Sequence, residues 1–421
     1  MTLVWRSNLQ KATMANDQNT LTTTCCIAGG GPAGMMLGLL LARAGVPVVV
    51  MEKHADFFRD FRGDTIHPST LTVLGELGLL EGFLKLPHQK VDHLSGQFGD
   101  DRLAIANFKW LGGVAPYIAM IPQWDFLAFL ADHAKAYPSF RLEMSTAAQS
   151  LIEEKGRVVG IHATTPAGPL DIRAALTVGA DGRHSTVRES AGLVVDDLGA
   201  PMDVFWFHLT RLPTDTDEST GRFDRGQIAV MINRNSYWQC GFVIAKGTGE
   251  AVRAKGLEAF RASLARALPI ARDGRAAELK SWDDINLLTV TVDRLKTWHR
   301  PGLLMIGDAA HAMSPVGGIG INLAIQDAVA AANILGQPLL AGTVSDADLA
   351  AVQSRRLWPT RVTQGLQIAL QRNVIARALN ADAPFRAPWL IRAMLATPGL
   401  RTLPTRFIGL GVRPEHVRPA T

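Results

Sequence analysis

The chain has 421 residues, 47% hydrophobic and 19% charged, with a formal net charge of +5. That length suits two or three packing units rather than one core, and the composition excludes a disordered chain. Lys and Arg are scattered with no run longer than two, which excludes a basic stripe for nucleic acid. The three cysteines show no Cys-x-x-Cys or Cys/His spacing, which excludes a disulfide framework and a metal centre and implies a reducing compartment, the cytoplasm.

In chain order, the first twenty residues carry Arg6 and Lys11 but no apolar core, so they do not read as a signal peptide. They are expected to form a disordered tail, with Met14 as an alternative start. Residues 21–42 are uncharged and long enough to cross a bilayer, but Gly29-Gly30-Gly31-Pro32 divides them into a strand, a turn and a helix. Residues 23–28 read as a buried strand, and 35–44 as a helix. Gly45-Val46-Pro47 is a turn, and 48–51 a second buried strand ending at Glu52 and Lys53. Gly29-Gly30-Gly31-Pro32-Ala33-Gly34 fits G-x-G-x-x-G. Gly29 permits the turn, Gly31 lets a pyrophosphate approach the backbone, and Gly34 lets the helix pack on the strand. Pro32 opens a helix whose free N-terminal N–H groups favour phosphate, and Glu52 stands where a ribose acceptor is needed. The spacing predicts a Rossmann-type dinucleotide site.

Beyond Phe61-Arg62-Gly63-Asp64, residues 68–77 have helical spacing and 96–120 read as strands. Gln123 precedes an amphipathic helix at 124–137, with Phe126, Leu127 and Leu130 on its apolar side. Residues 141–180 alternate as a meander broken at Gly156 and at Pro166-Ala167-Gly168. It ends in Asp181-Gly182 and a short helix that Ser185 caps. Residues 200–245 form a β-rich insertion. Phe205, Phe207, Met231, Trp238 and Phe242 lie on its strands, either lining a pocket or filling plain sheet core. A buried strand at 302–306 leads into Gly307-Asp308-Ala309-Ala310-His311. Pro315-Val316-Gly317-Gly318-Ile319-Gly320-Ile321-Asn322 follows, then a helix at 323–335. A helical tail occupies the rest.

The three glycine- and aspartate-marked motifs, in this order over residues 24–335, resemble those of the FAD-dependent single-component aromatic hydroxylases, the flavoprotein monooxygenases typified by p-hydroxybenzoate hydroxylase. The resemblance implies an α/β fold: a Rossmann-like FAD-binding domain, an inserted β-sheet substrate domain and a C-terminal helical tail. The expected bounds are 22–95, 121–198 and 285–345 for FAD binding, 96–120 and 199–284 for the substrate domain, and 346–421 for the helical segment. The remaining length is expected to be too short for the thioredoxin-like domain of larger relatives.

The resemblance also implies residue roles. Gly29, Gly31, Pro32, Ala33, Gly34, Glu52 and Lys53 would hold the adenosine and pyrophosphate. Arg62 and Gln123 would approach the cofactor, Asp181 would belong to the motif tied to both FAD and NAD(P)H, and Gly307 and Asp308 would bind the ribityl chain. Pro315, Gly318, Gly320, Ile321 and Asn322 would line the isoalloxazine. The implied reaction consumes NAD(P)H and O2 and hydroxylates a small aromatic or related apolar substrate through a flavin hydroperoxide. The chemistry is flavin-based and needs no protein nucleophile, and the sequence does not single out a base for a phenol. No metal, nucleic acid or membrane span is expected, and the chain is expected to be a monomer or homodimer. His67, His208 and His311 receive no catalytic role, His311 reading as a loop residue held by backbone. The alternatives are a reductase or halogenase of the same fold, or a non-catalytic FAD-binding protein. None of the nine tryptophans forms the Trp-x-Trp-x-Ile-Pro motif of flavin halogenases.

Overall fold

The computed structural model describes residues 19–58 and 65–418. The N-terminal tail with Met14, and Arg62, lie outside the described residues.

Five parallel strands form the centre of the main sheet. Their spatial order is Leu303–Met305, Gly168–Gly179, Thr20–Ala28, Val48–Met51 and Phe140–Glu143. The central strands are apolar because both faces are covered. Alternation sends Cys25 and Ile27 to one core, with the helices Pro32–Arg43 and Gly320–Leu340, and Cys26 and Ala28 to the other, with Val158, Ile161 and Trp298. The meander read over 141–180 is shorter: Ala147–Glu154, Arg157–Thr165 and Gly168–Gly179 pair antiparallel, with Lys155 and Gly156 turning at positive φ, while Phe140–Glu143 pairs parallel with Val48–Met51.

Register aligns the strand ends. Ala28 pairs with both Gly179 and Met51, and Gly179 pairs with Met305. The chain therefore leaves adjacent strands at one edge into Gly29, Glu52, Asp181 and Gly307. Ligands of open α/β sheets bind beyond that edge.

Among the described residues one helical segment, Val316–Leu340, is apolar and long enough to cross a membrane. Most of it is buried within the protein, where it is a core helix packed on Pro32–Arg43.

A second sheet has seven strands, ordered Asn286–Leu288, Met202–Thr210, Tyr237–Ala245, Gln227–Asn233, Thr220–Asp224, His93–Phe98 and Asp101–Asn107. It draws on both chain segments read as the substrate unit. Asn286–Leu288 completes one edge, while Ile118–Met120 joins a small sheet with Thr65–Ile66 and Gln89–Val91. One face of the large sheet packs on the helix Leu257–Ala267. The other looks toward Val316 and the C-terminal helices through Ile375 and Ala378. The helix Asp346–Leu370 begins at a Ser345 capping box and packs against Gly320–Leu340, so the C-terminal region starts as part of the core.

Candidate cofactor and substrate site

At the fingerprint turn, sterics separate the glycines by role. Gly29 has φ 107°, and a Cβ there would lie 2.4 Å from Ala180 O. A Cβ at Gly34 would lie 1.9 Å from Gly29 O. These two are consumed by packing. Gly31 is different: a Cβ there would meet nothing within 4 Å. It is the N-cap of Pro32–Arg43, with extended backbone and no side-chain cap, and Pro32 takes the first helical position. The open space above Gly31 therefore faces the uncapped amides and positive dipole end of a helix, which fits a pyrophosphate. Glu52 Oε2 accepts from Gly30 N at 3.1 Å and Oε1 from His54 N at 3.1 Å, fixing its carboxylate beside the turn. Lys53 is exposed next to it.

Asp181 follows the adjacent strand. Ser185 Oγ donates to its Oδ1 at 2.5 Å and Val187 N to Oδ2 at 3.1 Å. Burial pushes the Asp181 carboxyl above the ordinary range, and these donors oppose that shift. Ser185 also caps the following helix, accepting from Arg188 N at 2.9 Å. Arg188 in turn donates to Ala309 O at 3.2 Å, joining this motif to the next.

The Gly307–Ala309 turn begins where Ile306 N donates to Gly179 O at 3.0 Å. Gly307 packs against Ala33 of the first motif. Asp308 is at the site edge, its Oδ2 4.0 Å from Arg183 Nη2. Beneath the turn, Asp327 Oδ2 accepts from Gly307 N at 3.1 Å and lies 2.6 Å from His311 Nε2. Asp327 Oδ1 accepts from Arg356 Nε at 2.9 Å. Burial alone would raise this carboxyl, but His311 and Arg356 hold it below the ordinary range. His311 is thus a buried core group hydrogen-bonded to Asp327 as well as a residue held by backbone.

The Pro315–Gly318 turn is clamped from two sides. Gln367 Nε2 donates to Ser314 O at 3.1 Å and Val316 O at 3.0 Å, and Gln371 Nε2 to Ser314 Oγ at 2.6 Å. On the other side Thr65 Oγ1 donates to Gly318 O at 2.8 Å. The buried Asn322 side chain accepts from His67 N and Thr70 Oγ1, both at 2.8 Å, and donates to Thr65 O at 3.1 Å. Its amide is thereby a clip between the helix Gly320–Leu340 and the segment at 65–70. Ile321 is half-buried beside it, and Gly320 opens that helix. Gln123 opens the helix Gln123–Ala134, two residues after Ile121 of the core.

Sequence reasoning passed over Asp327, Arg356, Gln364, Gln367 and Gln371. A signal was present: Arg356, Thr360, Thr363, Gln364, Gln367 and Gln371 recur at helical spacing, an unusual polar stripe, and all are buried.

The five aromatic and methionine positions on the second sheet require a correction. Phe205, Phe207, Met231, Trp238 and Phe242 all pack with Phe260 and Leu264 of the helix Leu257–Ala267. The rings of Phe205, Phe207 and Phe242 meet Phe260 at 5.4, 6.0 and 5.6 Å. They are core between sheet and helix. Strand alternation puts Val204, Trp206, Ile228 and Val243 on the opposite face, which packs toward Val316. There Gly241 pairs with Trp206, and a Cβ at Gly241 would lie 3.1 Å from the indole, so the missing side chain lets the ring lie on the sheet. Farther along, His208 and Tyr237 rings are 4.5 Å apart and Gln239 Oε1 accepts from Arg234 Nε at 2.9 Å.

Two further observations bear on chemistry. Among the described residues no group of His, Cys, Asp and Glu could hold a metal. Cys25, Cys26 and Cys240 are free and buried, and burial raises each thiol, Cys26 to about 12, so none is a ready nucleophile.

Comparison with known proteins agrees with this geometry. A family model described as "FAD binding domain" matches residues 22–365. A 6-methylpretetramide 4-monooxygenase of Streptomyces rimosus is 33% identical over 401 residues, covering 94% of each chain. A para-nitrophenol 4-monooxygenase of Pseudomonas sp. strain WBC-3 is 26% identical, covering 72% of this chain and 75% of its own. Among solved structures, the OxyS anhydrotetracycline hydroxylase of Streptomyces rimosus superposes with TM-score 0.71 at 24% identity, over 93% of this chain and 77% of its own. The pqsL protein of Pseudomonas aeruginosa, described as a probable FAD-dependent monooxygenase, gives TM-score 0.72 at 21% identity over 85% and 98%. At those identities the two structures speak for the fold alone.

Proposed function

Given that the chain belongs to the FAD-dependent aromatic hydroxylase family and is an FAD-dependent monooxygenase, we propose that it consumes NAD(P)H and O2 to hydroxylate an aromatic substrate of polyketide type. The polyketide class is suggested by the full-length relative, whose name specifies 6-methylpretetramide. The observation that carries the placement of the substrate is the Trp206 face of the second sheet, turned toward the clamped Pro315–Gly318 turn.

Bound FAD supplies the oxygen chemistry; the chain supplies position, polarity and dryness. The space at Gly31 and the N–H groups of Ala33 and Gly34 would take the pyrophosphate, and Glu52 the ribose. Asp308, oriented beside Arg183, would take the ribityl hydroxyls. The isoalloxazine would lie along the Pro315–Gly320 backbone, with the glutamine clamps fixing that turn. An aromatic substrate would lie between this turn and Trp206, excluding water from the reacting edge. Gln239, His208 and Tyr237 lie farther along the same strands, where phenolic or carbonyl oxygens could be oriented.

The test is NAD(P)H oxidation by the FAD-loaded protein with and without phenolic polycyclic compounds. Stimulation by a polycyclic phenol together with a hydroxylated product supports the reading. Equal oxidation rates with every aromatic, yielding only hydrogen peroxide, would leave an NAD(P)H oxidase instead.

A further inference from the structure

The chain's last described residues reach the cofactor turn through an unbroken line of buried polar contacts. Glu415 is 5% exposed although it lies near the C-terminus. Its carboxylate accepts from Arg355 Nε at 2.7 Å and Arg355 Nη2 at 2.9 Å, and from Arg356 Nη1 at 3.2 Å. Arg356 is fully buried and also donates to Arg413 O at 3.2 Å. Its Nε holds Asp327 Oδ1, and Asp327 Oδ2 holds both Gly307 N and His311 Nε2. His311 Nδ1 has no hydrogen-bond partner among the described residues, so Asp327 supplies the ring's hydrogen bond while Trp298 lies against it at 4.9 Å. Gly307 is the residue before Asp308.

The strap is pinned along its length. Glu415 N donates to Gln326 Oε1, Val417 N to Glu76 Oε2 at 2.7 Å, and Asn333 Nδ2 to His416 O at 2.8 Å. Gln326 and Asn333 lie on the same helix as Asp327. Arg356 has two buried carboxylates to satisfy, one under the cofactor turn and one on the strap. Removing the strap would leave a buried guanidinium half-paired and free to re-aim Asp327, because an incompletely paired buried ion is costly.

We propose that the C-terminal strap at 413–417 is a latch on the FAD site, with Glu415, Arg356 and Asp327 as positioning residues that hold the Gly307–Asp308 turn in its cofactor-binding shape. The inference rests on the assignment of that turn to the ribityl chain. Its consequence is reciprocal. If an intact strap tightens FAD binding by some factor, FAD must favour the closed strap by the same factor.

The test uses the full-length chain prepared as apoprotein and as FAD complex. Amide exchange at Glu415 and Val417 should slow by about tenfold on FAD binding, within the usual range of such couplings. Glu415→Gln, which keeps the shape and removes the charge, should weaken FAD binding about tenfold. Glu415→Asp should recover part of the loss, which a purely steric role would not give. The His311 ring nitrogen signals of the apoprotein should shift in Glu415→Gln, reporting the relay without any flavin. If Glu415 and Val417 exchange at the same rate with and without FAD, and Glu415→Gln binds FAD like the wild type, the latch is overturned while the cofactor assignment stands. If Asp308→Ala binds FAD with unchanged affinity, the assignment of the turn falls and the latch falls with it.

Discussion

At the scale of single residues, the glycines of one short turn predict opposite phenotypes. Gly31 faces open space with ordinary negative φ, so Gly31→Leu should fold, with an apoprotein melting midpoint within about 2 °C of the wild type. Its FAD affinity should fall at least about tenfold, or ~1.4 kcal/mol, because the side chain fills the pyrophosphate space. Gly29→Ala should instead cost about 2 kcal/mol or more of stability, since its Cβ would collide with Ala180 O at positive φ. Thermal melts and FAD titration of the two variants separate these outcomes. His67 gives a pH prediction. Burial lowers its pKa from 6.5 to about 4, opposed only in part by Ile408 O at 2.7 Å. The unfolded chain therefore binds the extra proton first, and this contribution to stability is complete above pH 6.5 and is lost as pH falls toward 4. The loss amounts to about 3 kcal/mol across that window. Denaturant unfolding of His67→Asn should show a correspondingly flatter stability profile between pH 6.5 and 4.

At the scale of elements, the strand–turn–helix–strand unit was legible because glycine, proline and buried β-branched runs have few other uses in that order. The meander and the Ser185 cap were legible for the same local reasons. What the sequence hid was long-range. Asn322 reads from sequence only as part of the loop lining the isoalloxazine, yet its side chain is a clip joining residues more than 250 positions apart in the chain. Asn322→Leu should therefore cost on the order of 3 kcal/mol in urea unfolding, because several buried donors and acceptors lose partners together. The sequence also hid which face of each strand in the second sheet packs toward Val316. Both faces are apolar and covered, so alternation alone could not separate Phe205 from Trp206. The stripe on Asp346–Leu370 was visible as a pattern, but its meaning depends on a loop some fifty residues earlier in the chain.

At the scale of the molecule, parallel register carries distant motifs to one sheet edge, and the second sheet lays the Trp206 face above the clamped turn. Trp206→Ala should raise the KM for an aromatic substrate about tenfold while leaving FAD affinity unchanged, as expected for one lost aromatic contact that does not touch the cofactor. Loss of FAD affinity in that variant would place Trp206 in the cofactor site instead. The most direct test of the whole account is the reaction of the FAD-loaded protein with NAD(P)H and a polycyclic phenol under oxygen-18 gas, with the product weighed by mass spectrometry. One labelled oxygen per hydroxylated product is the predicted result. Hydroxylated product that carries oxygen from water, or NAD(P)H consumed entirely to peroxide across the substrate panel, would contradict it.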